Sequence, residues 1–370
     1  MKIALFCDLI VHKKKTGVEK YLYHIVHSMS ALNRIEMIII CPPETPLEFL
    51  PQNVIIQKHK TTNWFGAKYI FSMIQKLKSI RNYELIHSPT VMLPFILRNP
   101  KKNIKLVMTV HDLVPALFPE LSTTLKVLYY KYALKFIFRL VDHFIVPSNS
   151  VKNDLIKLFA VNPELISVVF EGVSNEFIPN NRKKKNYILA VSTLEPRKNF
   201  KRIIDSYIYL KSNNQIKEKL IIVGKKGWLC NEIFNIPERF KNSIIFAGYV
   251  TEKLLIKLYQ NAKLFIYPSL YEGFGLPVIE AMACGCPVIT SNISSLPEVA
   301  GDAAILVDPK NVKEISNSIL QIVQNEQLAL ALVRKGIEQV KKFTWEKCAM
   351  ETIDVYDKVL KNVSERGCSA

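Results

Sequence analysis

The residues best suited to chemistry lie in the stretch Ser269–Ser291, where two glutamates, Glu272 and Glu280, flank a glycine-rich run. Glycine disfavours a helix, whereas Pro277 suits a first helical position, because its missing N–H would go unpaired there anyway. We therefore predict a glycine loop and then a helix over Pro277–Ala283, between two apolar strands. The free N–H groups and positive dipole end of such a helix suit a diphosphate.

Each glutamate also has a purely structural interpretation. Ser269 and Glu272 fit the S-x-x-E capping box. A helix starting there would include both glycines, each at a cost of about 1 kcal/mol, so we place Glu272 in the loop. Glu280 falls in the first turn of the predicted helix, where the dipole favours any acid.

Other polar residues follow predicted strands. Arg197 and Lys198 come after the strand Tyr187–Val191, where cations could neutralise charge on a departing diphosphate. The alternative for Arg197 is a solvated surface charge. His111 ends the strand Lys105–Val110, and a histidine satisfied within the core is the ordinary alternative there. Gly17 ends a loop after the first strand, where the backbone could approach a phosphate closely, or simply make a turn.

The composition predicts a folded, basic protein. Its 370 residues, 49% of them apolar, can bury a large core, and the length favours two domains. Residues 1–185 carry 26 Lys and Arg against 13 Asp and Glu, a net +13 of the total +18. We expect an anionic partner: a nucleic acid, an anionic membrane face or a phosphorylated acceptor. The dispersed basic residues and the lack of a known binding motif argue against nucleic acid.

Cysteines and targeting signals mainly exclude other classes. The seven cysteines show no C-x-x-C pair or Cys/His metal spacing, so we expect reduced thiols and a cytoplasmic protein. Met1–Leu9 is interrupted by Asp8 and followed by three lysines instead of a cleavage site, so we interpret it as a strand. No window reaches the ~18–20 apolar residues needed to span a bilayer, which leaves peripheral contact with the inner membrane face.

Strand and helix patterns alternate along the chain, which predicts doubly wound parallel sheets with helices on both faces and ligands beyond the strands' carboxyl ends. The polar, basic run Pro179–Asn186 predicts a linker. Helices outside the glycine region include Val18–Leu32, Lys68–Ile80, Leu125–Leu140, Ser150–Phe159 and Trp345–Val363. Leu125–Leu140 mixes basic and aromatic residues. It is either a solvated outer helix or an interfacial helix that docks on an anionic membrane.

The glycine stretch resembles a known family. EGFGLPVIE, with Glu272 and Glu280, is similar to the E-x7-E motif of family-four retaining glycosyltransferases, which have the GT-B fold. The resemblance continues into Ala281–Gly285, Leu296–Val299, Glu195–Asn199, Gly248–Val250 and Thr109–Asp112. It implies two Rossmann-like domains, residues 1–178 for the acceptor and 186–344 for the nucleotide sugar, facing each other across a cleft. Residues 345–370 would form a helix that crosses back to the first domain.

The resemblance implies roles in donor binding. The first glutamate of the motif binds donor-sugar hydroxyls and the second binds ribose hydroxyls, which gives these roles to Glu272 and Glu280. The backbone amides of Phe274, Gly275 and Leu276 would bind the distal phosphate.

It also implies roles for residues at other strand ends. His111 would contact the reacting sugar and the acceptor, with Asp112 as a tentative acceptor contact or orienter. Tyr249 and Val250 would present backbone groups to the nucleobase, and Gly224 borders the same region. Many relatives have an arginine five or six positions before the lysine that matches Lys198. This chain has Val191-Ser192-Thr193 there, so Arg197 is our candidate for the second cation.

The implied activity is retaining, metal-independent transfer of a hexose from a nucleotide-diphosphate sugar to a glycan or lipid-linked glycan, without a further cofactor. Glu272, His111, Lys198 and Arg197 form the expected catalytic set. Two sequence segments, HDLVP from His111 and TLEPRKN from Thr193, resemble those of mannosyltransferases of bacterial surface polysaccharide synthesis. This resemblance favours GDP-mannose as the donor. A sugar phosphorylase, a nucleotide-sugar epimerase and a basic nucleic-acid-binding protein are the alternatives.

Overall fold

The computed structural model describes residues 1–7, 17–41, 45–46, 50–58, 83–91, 104–180, 183–228 and 230–367. The chain divides into two compact units, Met1–Gly172 with Trp345–Ala370, and Val173–Thr344. The predicted helix Lys68–Ile80 lies outside the described residues.

The first unit is built on a parallel sheet in the order β3-β2-β1-β4-β5-β6-β7. Its strands are β1 Lys2–Phe6, β2 Glu36–Cys41, β3 Ile55–Lys58, β4 Leu85–Ser88, β5 Lys105–Thr109, β6 His143–Val146 and β7 Ile166–Val168. The central strands are almost completely buried, since both faces of such a sheet are covered, which explains their continuous apolar sequences.

The helices of the first unit include a long C-terminal one. Among the described residues they are Gly17–Ala31, Val114–Leu117, Thr124–Leu128, Leu134–Phe138, Asn149–Phe159 and Trp345–Gly367, with a π-helical turn Tyr129–Ala133 and 3-10 turns Pro119–Leu121 and Pro163–Leu165. The predicted helix Leu125–Leu140 is therefore three consecutive helical stretches. The C-terminal helix packs on Gly17–Ala31, and the oxygen of its buried Tyr356 lies 2.6 Å from Nδ1 of His87 in β4.

The second unit contains a parallel sheet in the order β10-β9-β8-β11-β12-β13. Its strands are β8 Tyr187–Val191, β9 Lys219–Val223, β10 Ile244–Gly248, β11 Leu264–Tyr267, β12 Val288–Ser291 and β13 Ala304–Val307. Its helices are Phe200–Ser212, Glu252–Asn261, Leu276–Ala283, Leu296–Ala300, Val312–Gln324 and Glu326–Val340, with 3-10 turns Pro196–Lys198, Asn231–Phe234 and Glu238–Phe240.

The boundary between the units comes earlier than the linker that composition predicts. The amide of Val173 donates to the carbonyl of Phe343 at 3.2 Å, within the second unit. Gln260 donates to the Ile178 carbonyl at 2.8 Å, and Lys184 Nζ donates to the Gln260 carbonyl at 2.7 Å. The predicted boundary at 178–186 is therefore corrected to Gly172/Val173, because the basic run is bound to the helix Glu252–Asn261.

Candidate functional site

The order of the second sheet brings two sequence-distant loops together. β8 and β11 are neighbours, and the direction of strand order reverses between them. Lys198 follows β8 in the 3-10 turn, and Glu272 follows β11 in the loop before the helix Leu276–Ala283. Ligands of open parallel sheets bind beyond the carboxyl ends of the strands at such a reversal.

Glu272 lies at the centre of a buried charged cluster. Lys198 Nζ lies 2.6 and 2.8 Å from the two carboxylate oxygens of Glu272, and the Tyr267 hydroxyl lies 2.8 Å from Oε1. One guanidinium nitrogen of Arg197 donates to Oε2 at 3.0 Å, and its Nε lies 2.6 Å from Glu195 Oε1. Only 8% of Lys198 and 6% of Glu272 is exposed. Two cations therefore face two carboxylates away from water.

The two cations of this cluster stabilise the ionised form of Glu272. Burial by itself raises the pKa of Glu272, but Lys198 and Arg197 hold it down at about 2. Burial and Arg197 lower the pKa of Lys198, while Glu272 acts in the opposite direction. Glu272 is therefore ionised at neutral pH. The Arg197 side chain is 16% exposed and doubly paired, so its interpretation as a solvated surface charge is wrong.

The glycine loop takes a conformation that excludes most side chains. Gly275 has φ +117°, and a Cβ there would lie 2.8 Å from a Leu296 methyl carbon. The helix begins at Leu276, one residue earlier than predicted, and its N-cap is Gly275, which has no side chain that could cap it. Phe274, the residue before Gly275, is buried and packs its ring edge-on to Phe343 at 5.6 Å. Ser269 lies well before the first helical residue, so the capping-box interpretation is wrong.

Two serines that sequence reasoning missed hold the backbone of this loop. Ser294 donates to the Glu272 carbonyl at 2.6 Å and accepts from the Glu272 amide at 3.0 Å. Ser294 has φ +61°, an uncommon conformation for a side-chain-bearing residue. The hydroxyl of Ser295 lies 2.7 Å from the Phe274 carbonyl. The only signal for them in the sequence was that they directly precede Leu296–Val299, a segment that resembles the glycosyltransferase family.

Glu280 is held by a tyrosine that the sequence did not single out. The hydroxyl of Tyr259 donates to Glu280 Oε2 at 3.2 Å, and both residues are buried. Burial, and then Glu280, raises the pKa of Tyr259 well above its usual value, so it stays a donor. Because the helix starts at Leu276, Glu280 lies in its second turn and not, as predicted, in the first.

Gly224, Tyr249 and Val250 lie at the ends of the neighbouring strands β9 and β10. A Cβ on Gly224 would lie 1.7 Å from the carbonyl oxygen of Ser192, so glycine is required there. Tyr249 is exposed, and Lys225 Nζ lies 5.4 Å from its ring centroid. Val250 is half-buried. All three residues thus lie at the same edge of the sheet as Lys198.

In the first unit, His111 follows β5 and is fixed by two acceptors. Its Nδ1 lies 3.0 Å from Glu171 Oε1, and its Nε2 lies 3.1 Å from the carbonyl oxygen of Pro89. The ring of Tyr21 packs edge-on to it at 4.6 Å. Glu171 is buried and follows β7, and the sequence analysis missed it. These two contacts fix the ring plane of His111, with Nδ1 towards Glu171 and Nε2 towards Pro89.

Asp112 and Gly17 have more local roles. Asp112 accepts from the Val114 amide at 3.2 Å at the start of a short helix. Glu171 is the carboxylate that contacts His111 directly, and the role of Asp112 as an acceptor contact or orienter stays a prediction. Gly17 is the first residue of its helix, and a Cβ there would meet nothing within 4 Å.

Two searches of the described residues were negative. Within those ranges, no three or more His, Cys, Asp and Glu side chains are grouped so that they could hold a metal ion. In the same part of the chain, no helix has the length and apolar character needed to cross a bilayer.

Comparisons with known proteins agree with these observations. Residues 174–339 match the model of glycosyl transferases group 1, and residues 15–177 match that of glycosyltransferase family 4. O-antigen chain mannosyltransferase B of Escherichia coli is 30% identical over 96% of this chain and 99% of its own length. The chain therefore belongs to the glycosyltransferase family that these two models describe. O-antigen chain mannosyltransferase RfbU of Salmonella typhimurium is also 30% identical, over 76% of this chain and 77% of its own.

Solved structures show the fold of this glycosyltransferase. Sucrose-phosphate synthase from Thermosynechococcus elongatus gives a TM-score of 0.78 at 19% identity, over 98% of this chain and 99% of its own. Anabaena Alr3699/HepE in complex with UDP and glucose gives a TM-score of 0.75 at 18% identity, over 96% of this chain and 99% of its own. The predicted GT-B class of two Rossmann-like parallel-sheet units is confirmed.

Proposed function

We propose that this glycosyltransferase moves mannose from GDP-mannose to a hydroxyl of a glycan or lipid-linked glycan, with retention at the anomeric carbon. The observation that carries the proposal is the buried Lys198–Glu272–Arg197 cluster, beside the start of a helix whose N-cap is Gly275. The choice of mannose is supported by O-antigen mannosyltransferase B, which matches nearly the whole chain. A nucleotide-sugar donor is supported by the bound UDP and glucose of HepE.

The cluster suggests how the donor is held. The amides at Gly275 and Leu276, with the cations Lys198 and Arg197, would bind the diphosphate. Glu272 would bind hydroxyls of the sugar while it keeps an ion pair with one of these cations. Protein cations and amides thus supply the charge stabilisation that a divalent ion provides elsewhere, so we propose a metal-independent reaction.

The proposed chemistry needs no protein nucleophile. The acceptor hydroxyl attacks the anomeric carbon from the face that the diphosphate leaves, and its proton passes to the departing phosphate oxygen. His111 would contact the reacting sugar through Nε2, which here faces the Pro89 carbonyl, while Glu171 holds Nδ1. Asp112 would contact the acceptor.

Donor binding is the first test. Thermal unfolding is measured with GDP-mannose, UDP-glucose and ADP-glucose, because a ligand at a hundred times its dissociation constant adds about 2.7 kcal/mol to stability. We expect GDP-mannose to stabilise the protein most. Stabilisation by UDP- or ADP-glucose alone would contradict the proposed donor.

Product analysis separates the alternative reactions. Transfer requires an acceptor and yields an α-linked product from the α-linked donor, which proton NMR of the anomeric region would show. An epimerase would form its product without acceptor, and a phosphorylase would release sugar phosphate with free phosphate. Turnover that survives a chelator would support the metal-independent reaction.

We further propose that the protein acts in the cytoplasm at the inner face of the membrane, where a lipid-linked glycan would be presented. The basic first half of the chain supports this proposal, since residues 1–185 carry a net +13. An anionic surface attracts such a chain over about one Debye length.

A further inference from the structure

The helical segment of residues 124–138 carries large apolar side chains on its solvent side. Leu125, Leu128, Tyr132 and Phe136 are 61, 47, 63 and 55% exposed. They follow one another at intervals of three or four residues, which places them along one side of the helical stretches. We call these four residues the outer stripe. Single exposed apolar residues are ordinary, but a contiguous row of four is not.

The opposite side of the same segment is already fixed to the core. Leu134, Ile137 and Phe138 are buried. In the π-helical turn, the hydroxyl of Tyr129 donates to the Val91 carbonyl at 2.7 Å. The segment is therefore apolar on two sides, one buried against the first unit's core and the other, the outer stripe, exposed.

The charged residues of the segment itself have one sign. Lys126, Lys131, Lys135 and Arg139 are all exposed, and residues 121–141 contain no Asp or Glu. Lys131 Nζ lies 5.4 Å from the ring centroid of Tyr132. A solvated outer helix usually combines a polar face with charges of both signs, whereas this face combines leucine and aromatic rings with cations alone.

We infer that the outer stripe docks on the surface of an anionic lipid bilayer. Its apolar side chains enter the headgroup region, and the four cations meet lipid phosphates. A second copy of the chain fits less well, because an isologous contact would bring four cations against four identical ones. The inference deepens the proposed function, on which it rests for its purpose: docking would bring the enzyme to a lipid-linked acceptor.

Vesicle co-sedimentation of the full chain tests the inference. We expect binding to vesicles of phosphatidylglycerol and phosphatidylethanolamine, weak binding to phosphatidylcholine alone, and a loss of binding as salt is raised. Leu125→Gln with Phe136→Gln removes half of the outer stripe, and Lys131→Gln with Lys135→Gln removes half of the cations. Each pair should weaken partitioning at least tenfold.

Matched controls come from the second unit. Leu330 is 55% exposed, as Phe136 is, and Lys253 is exposed. Leu330→Gln and Lys253→Gln should bind anionic vesicles like the wild type. Far-UV circular dichroism checks that each variant is folded. If the variant of Leu125 and Phe136 misfolds, the variant of Lys131 and Lys135 still tests the inference, because it alters only exposed charged side chains.

Three results would overturn the inference: no binding of wild type to anionic vesicles, variants that bind like the controls, or self-association that the variants lose without any vesicle binding. GDP-mannose binding is measured on every variant and should equal that of the wild type. If no protein, wild type included, binds GDP-mannose, the proposed donor fails, while the vesicle result still decides the role of the outer stripe.

Discussion

Replacing Lys198 by methionine removes the ammonium group from the Glu272 carboxylate and keeps most of the side-chain volume. In the wild type, Glu272 has a pKa of about 2 against an ordinary 4.5. That difference, which Lys198 contributes to most and Arg197 next, corresponds to about 3 kcal/mol of stability at neutral pH. Removing one partner of a buried ion pair costs about 3–5 kcal/mol, so the two routes agree. We expect Lys198→Met to lose about 3 kcal/mol.

The double variant separates pairing from catalysis. Glu272→Gln alone leaves the buried Lys198 without this carboxylate, whereas Arg197 still has its ion pair with Glu195. Lys198→Met with Glu272→Gln leaves neither charge, so its cost should fall about 2–3 kcal/mol short of the sum of the single costs. Turnover should fall at least ~100-fold in all three variants and should not recover in the double variant, because substrate contacts are lost.

The assay combines turnover with stability of the second unit. Hydrogen exchange of the β11 amides reports opening of that sheet without assuming that both units unfold together. Lys201→Met is the matched control, since Lys201 lies in the next helix with a 65% exposed side chain. If the stability costs of the two single variants simply add up in the double variant, the pairing argument is refuted. Turnover above a tenth of wild type in Lys198→Met would refute the role of Lys198 in the reaction.

The same ion pair predicts an acid response. The folded-state pKa of Glu272 lies below its unfolded value, so its stabilisation is present above pH 4.5 and is lost as the pH falls towards 2. In Lys198→Met this part of the acid sensitivity should shrink. An unchanged pH dependence of β11 hydrogen exchange would contradict this reasoning.

Three further predictions concern other parts of the chain. Gly275→Ala should destabilise the second unit by about 1–3 kcal/mol in thermal unfolding because of its positive φ, whereas Gly17→Ala, with open space around it, should not. Burial, and secondarily His111, lowers the pKa of His87 to about 3. His87 binds fewer protons folded than unfolded, so between pH 7 and pH 5 the first unit should lose about 2 kcal/mol that His87→Gln retains, as denaturant titrations at both pH values would show. Glu171→Gln should lower turnover at least tenfold with unchanged GDP-mannose affinity by calorimetry, and equal turnover would contradict its role in orienting His111.

Local sequence was enough to predict strands such as Tyr187–Val191, which the structure reproduces, and Lys105–Val110, which ends one residue earlier at Thr109. Parallel strands covered on both faces are short apolar runs, and that property belongs to neighbouring residues alone. It was also enough to predict a glycine loop that carries Glu272, since glycine and proline have backbone preferences independent of the fold. The E-x7-E spacing then gave the family, which the comparisons confirm.

Residues that act through one or two hydrogen bonds to a distant part of the chain could not be found in this way. Ser294, Tyr259 and Glu171 have no pattern around them, and each bonds to a residue from another loop or helix. The boundary at Gly172 was also missed, because a basic run indicates a linker only when nothing binds it, and here Lys184 is bound.

The sequence by itself determined which residues carry charge, where the chain must turn, and which runs are buried as strands. Only the tertiary structure decided that Lys198 and Glu272, 74 positions apart, bond to each other. That contact depends on β8 and β11 being neighbours. Strand order results from packing the whole sheet, whereas propensity and periodicity report only on residues close in the chain.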